Sequence, residues 1–367
     1  MSAIDEYVST QVSNGTGFIT LDRPKALNSL SLDMVRAITQ ALLDWRDDAS
    51  VAAVVMRSSS GKALCAGGDI RFFREVGLGT PQGGSALLED FFTEEYALNH
   101  LIHFYNKPYI ALMDGVVMGG GMGISQGGPD CGVRVASSRM KMAMPEVNIG
   151  LFPDVGGSHF LSHAPGSLGM WLGLTGLTVG AADALYLGLA DHYVPEGEWG
   201  ALTALIDTTQ GAVLPAAIAA FAAPFRPAVG AAAASEMEAQ RAVIDRHFSA
   251  GSVASIIASL RLDGSPFAQK SLAAMEQRSP LMMCVTHELL QRGAALDVAD
   301  CLRMERNLVR RNFEHGEILE GVRALVIDKD NAPRWNPPTL DAVTPGMVAR
   351  FFEPCWPAHA HPLRHLA

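Results

Sequence analysis

Hydrophobic and polar residues alternate with a period of two over 7–13 and again over 16–21, and Asn14-Gly15 lies between the two runs. This pattern predicts a β-hairpin closed by a type I′ turn. Arg23-Pro24 ends the second strand. The period then lengthens: Leu32, Val35, Ile38, Leu42 and Trp45 fall near helical spacing behind Ser31, an N-cap residue, so a helix is expected to about residue 47. Short apolar runs at 51–56 and 108–113 have the length of buried strands. Residues 58–70, SSSGKALCAGGDI, read as a loop between a strand and a helix. Leu88, Phe91, Phe92, Tyr96, Leu98 and Ile102 mark a helix over 85–105. Strands are expected at 131–136, 140–144 and 190–194, with a helix at 179–189. Alternating strands and helices to about residue 195 argue for an α/β core.

Beyond about residue 200 the strand signals stop. Helices are predicted over 201–225, 231–248, 253–260, 267–276, 281–291 and 296–314, punctuated by glycines and prolines. The expected organisation is a core over 1–200 and a helical region over 201–367. No internal repeat is visible.

Composition narrows the choice. With 367 residues, 49% of them hydrophobic, the chain can bury a sizeable core. A net charge of −10 without a basic run argues against a nucleic-acid partner. An anionic ligand is still compatible, since backbone N–H groups can bind one. Five scattered cysteines, with no CxxC pair, fit a reducing compartment better than a disulfide scaffold or a zinc site. No secretion signal and no membrane-spanning run is seen, so a cytoplasmic protein without a membrane partner is expected.

Three stretches can carry chemistry. Residues 144–157, MPEVNIGLFPDVGG, hold Glu146 and Asp154 among apolar residues and glycines. A carboxyl in an apolar wall has a raised pKa and suits acid or base work; the alternative is a helix-capping Glu and a turn Asp. In 63–70, ALCAGGDI, Gly67-Gly68 permits close backbone approach and Asp69 can cap the next helix, although an ordinary loop reads the same way. Gly119-Gly120-Gly121 either presents free N–H groups to an oxyanion or lets a helix and a strand pack closely.

Taken together, AxCAGGD, DGxxxGGGxG and MPExxIGxxPDxGG resemble the enoyl-CoA hydratase/isomerase (crotonase) superfamily. FFTEEYALN at 91–99 and EGVRALVIDKDNAPRW at 320–335 are similar to its 3-hydroxyisobutyryl-CoA hydrolase branch. The resemblance covers most of the chain. It implies the crotonase (ClpP-like) fold, stacked ββα turns with C-terminal helices, and a homo-oligomer. It also implies an acyl-CoA substrate, with coenzyme A as part of that substrate and no separate cofactor. By the same resemblance the oxyanion hole is the N–H pair of Gly68 and Gly120. Lys25, Ala26 and Leu27 run along the CoA nucleotide, with Ala66, Gly68 and Ile70 also on the CoA side. Glu146 attacks the thioester carbonyl or activates water, Asp154 orients Glu146 or the water, and Glu95 binds the acyl hydroxyl.

One departure is informative. Hydratases of the superfamily carry a carboxylate where this chain has Gly123. Hydration needs two acids, whereas an oxyanion hole and one acid suffice for thioester cleavage. The expected activity is therefore hydrolysis of an acyl-CoA thioester, 3-hydroxyisobutyryl-CoA in valine breakdown. The alternatives are an enoyl-CoA hydratase or isomerase and a non-catalytic acyl-CoA-binding protein. A second departure, a segment near 126–131 longer than the branch's usual one, predicts a different loop shape there. His159 and His163, four apart, lack the companions of a metal site, and no metal is expected.

Overall fold

The computed structural model describes residues 6–80, 84–225 and 235–367. They form two compact units, each assembled from separated stretches of chain. The first comprises Met1–Gly68, Leu98–Ala143 and Thr178–Ala239, and the second Asp69–Ala97, Met144–Leu177 and Gln240–Ala367. The change of character near residue 200 is one of local composition, and both units draw on both sides of it.

The first unit is built on strands β1 (Val8–Ser13), β2 (Thr16–Leu21), β3 (Ala53–Ser58), β4 (Ala63–Cys65), β5 (Tyr109–Met113), β6 (Val116–Met118), β7 (Gly132–Ser137), β8 (Lys141–Ala143) and β9 (His192–Val194). They make a six-stranded sheet, β1-β2-β3-β5-β7-β9, and a three-stranded sheet, β4-β6-β8. The β1–β2 hairpin is antiparallel, with both turn residues at positive φ, as the Asn-Gly dipeptide requires. The other pairings are parallel. β5 is buried along its whole length, which is why it reads as a continuous apolar run.

One cluster of the core joins Phe18, Val55, Ile110, Leu112 and Val135 of the large sheet to Leu202, Ile206, Leu214 and Ile218. The latter come from the helices Glu196–Thr208 and Leu214–Ala222, so part of the predicted helical region packs on the sheet. The single helix expected over 201–225 is broken where Thr209 and Gln210 turn extended; Pro215 then sits in the first turn of the next helix, where its missing N–H costs nothing. The helix α1 (Leu32–Arg46) starts at Ser31, whose Oγ accepts from the Met34 N–H at 3.2 Å.

β4, inside the stretch read as a loop, was hidden by its length of three residues between polar and glycine-rich flanks. The start of the helix expected over 231–248 lies outside the described residues, and the rest is divided at Gln240 into Glu236–Ala239 and Arg241–Phe248. Among the described residues no helix is long and apolar enough to cross a membrane.

Asn28 ties the first unit together. It is fully buried, with φ of 55°, and its Oδ1 accepts from the Arg23 N–H at 2.7 Å. Its Nδ2 reaches Ser58 Oγ at 2.8 Å and the carbonyls of Ala63 and Leu64 at 3.1 Å each. Asn is one of the few side chains that tolerates this backbone region, and this one pins the 23–28 turn to β3 and β4. Asn28→Ala should lower stability by about 2–4 kcal/mol, because it removes a buried network and leaves carbonyls unpaired. Urea unfolding measures this; a loss below about 0.5 kcal/mol would contradict the assigned role.

The second unit is mostly helical. The helices α2 (Ile70–Gly79) and α3 (Ala86–His103) bring Phe73, Phe91, Phe92 and Tyr96 into edge-to-face and tilted contact, with ring centroids 4.7–6.0 Å apart. Such a cluster combines large buried area with favourable ring geometry.

Candidate active site

In the first unit the two glycine loops come together. Gly67 has φ of 99°, and a Cβ placed on it would lie 3.3 Å from the Met118 carbonyl and 3.5 Å from the Gly120 nitrogen. Gly120 opens a one-turn helix, α4 (Gly120–Gly123), preceded by Gly119 at φ of 51°. Among the described residues neither the Gly68 nor the Gly120 N–H has a protein acceptor. The neighbouring Gly121 does different work: a Cβ there would stand 2.1 Å from the Cys65 carbonyl oxygen, so only glycine lets α4 lie against the end of β4. The close-packing reading of the triple glycine therefore holds at Gly121. Gly123 closes α4 and is buried.

The residues of the first unit expected to face CoA are also neighbours. Pro24–Ala26 form a 3-10 turn containing Lys25, which is exposed, and Ala26. The Leu27 carbonyl accepts from the Ala66 N–H at 3.0 Å, and Gly68 pairs with Leu30 in a parallel bridge. Ile70 belongs to the second unit, where it opens α2 behind its N-cap, Asp69.

The predicted acids all lie in the second unit. Glu146 is the first residue of a 3-10 turn, Glu146–Ile149, and is buried. Among the described residues its Oε2 has no hydrogen-bond partner. Asp154 is buried and its Oδ2 accepts from the Tyr96 hydroxyl at 2.7 Å. Glu95, one residue before Tyr96 on α3, is buried with an unpartnered Oε1.

Burial, and then the Asp154 charge, hold the Glu146 and Glu95 carboxyls well above their ordinary range. Burial pushes Asp154 up to about 6, against the lowering effect of the Tyr96 hydrogen bond. Burial and the same acid raise the Tyr96 phenol, which keeps it a hydrogen-bond donor. The geometry fits an acid–base centre in which one carboxyl is oriented and another is left free for substrate.

A fourth acid escaped the sequence reading. Glu305, on α6 (Val298–His315), is fully buried, and burial pushes its carboxyl up to about 8. Its signal was present in the spacing: Val298, Cys301, Leu302, Leu308, Val309 and Phe313 form the apolar stripe of α6, and Glu305 sits on that stripe. Elsewhere in the unit, His247 bridges Ser259 Oγ at 2.7 Å and Asp263 Oδ2 at 2.9 Å. This resembles a hydrolase triad in composition only. Ser259 lies in the interior of the helix Val253–Leu262, where its own N–H is engaged in the helix rather than turned toward an oxyanion.

A sequence profile described as enoyl-CoA hydratase/isomerase matches residues 16–352. The chain belongs to that family. Proteins named 3-hydroxyisobutyryl-CoA hydrolase, mitochondrial, from Danio rerio and Xenopus tropicalis are 39% and 40% identical to it, each alignment covering 92% of this chain and 86% of the relative. A solved structure named as a carnitinyl-CoA dehydratase from Mycobacterium thermoresistibile is 38% identical, with a TM-score of 0.86 over 96% of this chain and 98% of that one. The crotonase fold anticipated from the glycine and MPE motifs is thus the fold of this family member.

The raised acids have a consequence for stability. Because folding lifts the Glu146 carboxyl above its ordinary 4.5, ionisation weakens the folded state. The penalty is absent below the unfolded value and grows as pH rises through the folded one. Glu146→Gln, nearly isosteric and always neutral, should therefore melt higher than the native chain at pH 8, with the difference shrinking toward pH 5. Thermal unfolding at both values checks the sign; a variant less stable at pH 8 than at pH 5, relative to native, would refute it.

Proposed function

We propose that the chain hydrolyses a short 3-hydroxyacyl-CoA thioester, 3-hydroxyisobutyryl-CoA, to the free hydroxy acid and coenzyme A. The observation that carries the reading is Gly123. This family member keeps Glu146 and Asp154 buried but has no carboxylate at the position where hydratases of the superfamily hold one. The names of its relatives from Danio rerio and Xenopus tropicalis support the same activity.

In the proposed reaction the N–H groups of Gly68 and Gly120 receive the carbonyl oxygen as it gains charge. Glu146 either attacks the carbonyl carbon, giving an anhydride that water opens, or takes a proton from the attacking water. The C–S bond breaks, the sulfur leaves with the electron pair as thiolate, and it is protonated to the free thiol. Asp154, held by Tyr96, orients Glu146 or the water. The unpartnered Oε1 of Glu95 accepts the acyl hydroxyl proton as a hydrogen bond. Lys25, Ala26, Leu27, Ala66, Gly68 and Ile70 contact the CoA moiety, which is substrate; no separate cofactor or metal takes part. A role in valine breakdown and a homo-oligomeric assembly belong to the same proposal. So does a reducing compartment, which suits the free cysteines. The relatives' names carry the word mitochondrial, so fractionation of the native cell must decide between that compartment and the cytoplasm.

A dehydratase or hydratase reading is favoured by one observation, the name and closeness of the Mycobacterium thermoresistibile structure. Thiol release and loss of enoyl absorbance, measured side by side, separate the two. The native chain is expected to release thiol from 3-hydroxyisobutyryl-CoA and to hydrate crotonyl-CoA negligibly. CoA-ester binding without either activity would indicate a binding protein. Glu146→Gln should reduce kcat for thiol release roughly 10²–10⁴-fold while ester binding persists. Near-native kcat in that variant would remove Glu146 from the chemistry.

Gly123→Glu should also lower thiol release, because a second carboxylate raises Glu146 further and crowds the attacking water. Equal thiol release from both proteins would show that position 123 does not bear on the reaction.

A further inference from the structure

Glu305 makes hydrogen bonds with both carboxylate oxygens to one short turn. Its Oε2 accepts from the Gly156 N–H at 2.8 Å, and its Oε1 accepts from the Ser158 N–H at 2.9 Å and the Ser158 hydroxyl at 2.5 Å. An obligate N–H donor faces each oxygen, and these bonds favour the ionised form against the burial that raises this carboxyl. The turn it grips is unusual. Val155 and Gly156 are consecutive residues in the left-handed region, at φ of 54° and 86°. A β-branched residue rarely adopts that conformation, and such positions gather at functional sites. Asp154 comes immediately before, with its carbonyl accepting from the Gly157 N–H at 2.7 Å and its side chain meeting Tyr96.

The next residue on α6 reaches the other half of the pair. The buried Arg306 guanidinium donates to the Glu89 carboxylate, to the Glu89 carbonyl at 3.2 Å and to Thr93 Oγ1 at 3.0 Å. Glu89 and Thr93 lie on α3, which carries Tyr96.

We infer that Glu305 is a positioning residue for the reaction, holding the turn 155–158 so that Asp154 meets Tyr96 at the working angle. This rests on the hydrolase reading above. It differs from a role as a cap for α5 (Gly157–Ser162), which would affect stability alone. The distinction is electrostatic. The Glu305 charge is one of those that raise Glu146, together with Asp154 from the same stretch and Glu95 from α3. Glu305 itself is faced by Asp154 and Ser158 across the turn, by Tyr96 from α3 and by Cys301 one turn back on α6. Where Glu305 is ionised, removing its charge moves the titration of Glu146 downward.

The test is Glu305→Gln in the full chain, assayed by thiol release from 3-hydroxyisobutyryl-CoA across pH. One amide nitrogen then faces a backbone donor, and the turn loses its anchor. We expect kcat to fall roughly 10–100-fold with KM within about threefold. The acidic limb of the kcat profile should move down by about 0.5–1 pH unit. Amide exchange at Gly156 and Ser158 should quicken, and it reports on Glu305 without substrate. A native chain that releases no thiol would end the hydrolase reading, and exchange alone would then decide the Glu305 assignment.

A folded variant with native kcat and profile would overturn the proposal. So would a lower kcat with an unmoved limb, which would show that the Glu305 charge does not act on Glu146. If Glu305→Gln does not fold, Ser158→Ala decides. It removes the hydrogen bond that the Ser158 hydroxyl donates to Glu305 Oε1, keeps both N–H bonds and should cost about threefold in kcat. Native kcat there would overturn the assignment.

Discussion

Holding ionisable carboxyls away from water is the constraint to which the second unit is fitted. Glu95, Glu146, Asp154 and Glu305 are all buried, and each is raised chiefly by burial. A buried charge is tolerated only where donors surround it. The four acids are treated unequally. Asp154 has a phenol and Glu305 has two amides and a hydroxyl, while Glu95 and Glu146 each keep an oxygen without a partner. The satisfied acids are held by their donors, and the unsatisfied ones keep an oxygen open to a further partner. The aromatic cluster of Phe73, Phe91 and Phe92 beside Tyr96 keeps that surrounding apolar, so the inequality persists.

Elements with a strong local signal were legible before any coordinates. The Asn14-Gly15 hairpin, the Ser31 cap and the buried strand β5 follow from short-range chemistry, and they stand where expected. Legibility failed where tertiary pairing overrode local preference. β4 is three residues long, and only its parallel partner β6 makes it a strand. The helix expected over 179–189 shrinks to Ala181–Tyr186 because Leu187–Gly188 turns toward β9.

The candidate site divides in the same way. Glu146 and Asp154 stand out because acids interrupt an apolar, glycine-rich stretch. Glu305 and Asn28 are silent in a motif search, since one is far away in sequence and the other acts through a left-handed backbone and carbonyl partners. An acid on the apolar stripe of α6 was the one sign available for Glu305. The triple glycine shows a further limit: composition cannot say which of three identical residues lies against Cys65.

The interleaving of the two units bears on how the chain comes into being. A ribosome delivers residues from the N-terminus, and the first unit has all its stretches once residue 239 has emerged. The second draws on Asp69–Ala97 and Met144–Leu177 within that interval and on Gln240–Ala367 after it, so it closes later. Phe73, Phe91 and Phe92 are synthesised more than two hundred residues before α6, so during elongation their apolar surface waits for a distant partner. Late, long-range closure of this kind is slow and leaves nascent chains open to association. A premature stop in the last third would yield a chain with every stretch of the β unit and an acid-bearing half that cannot close, and such a product calls for a chaperone or a protease.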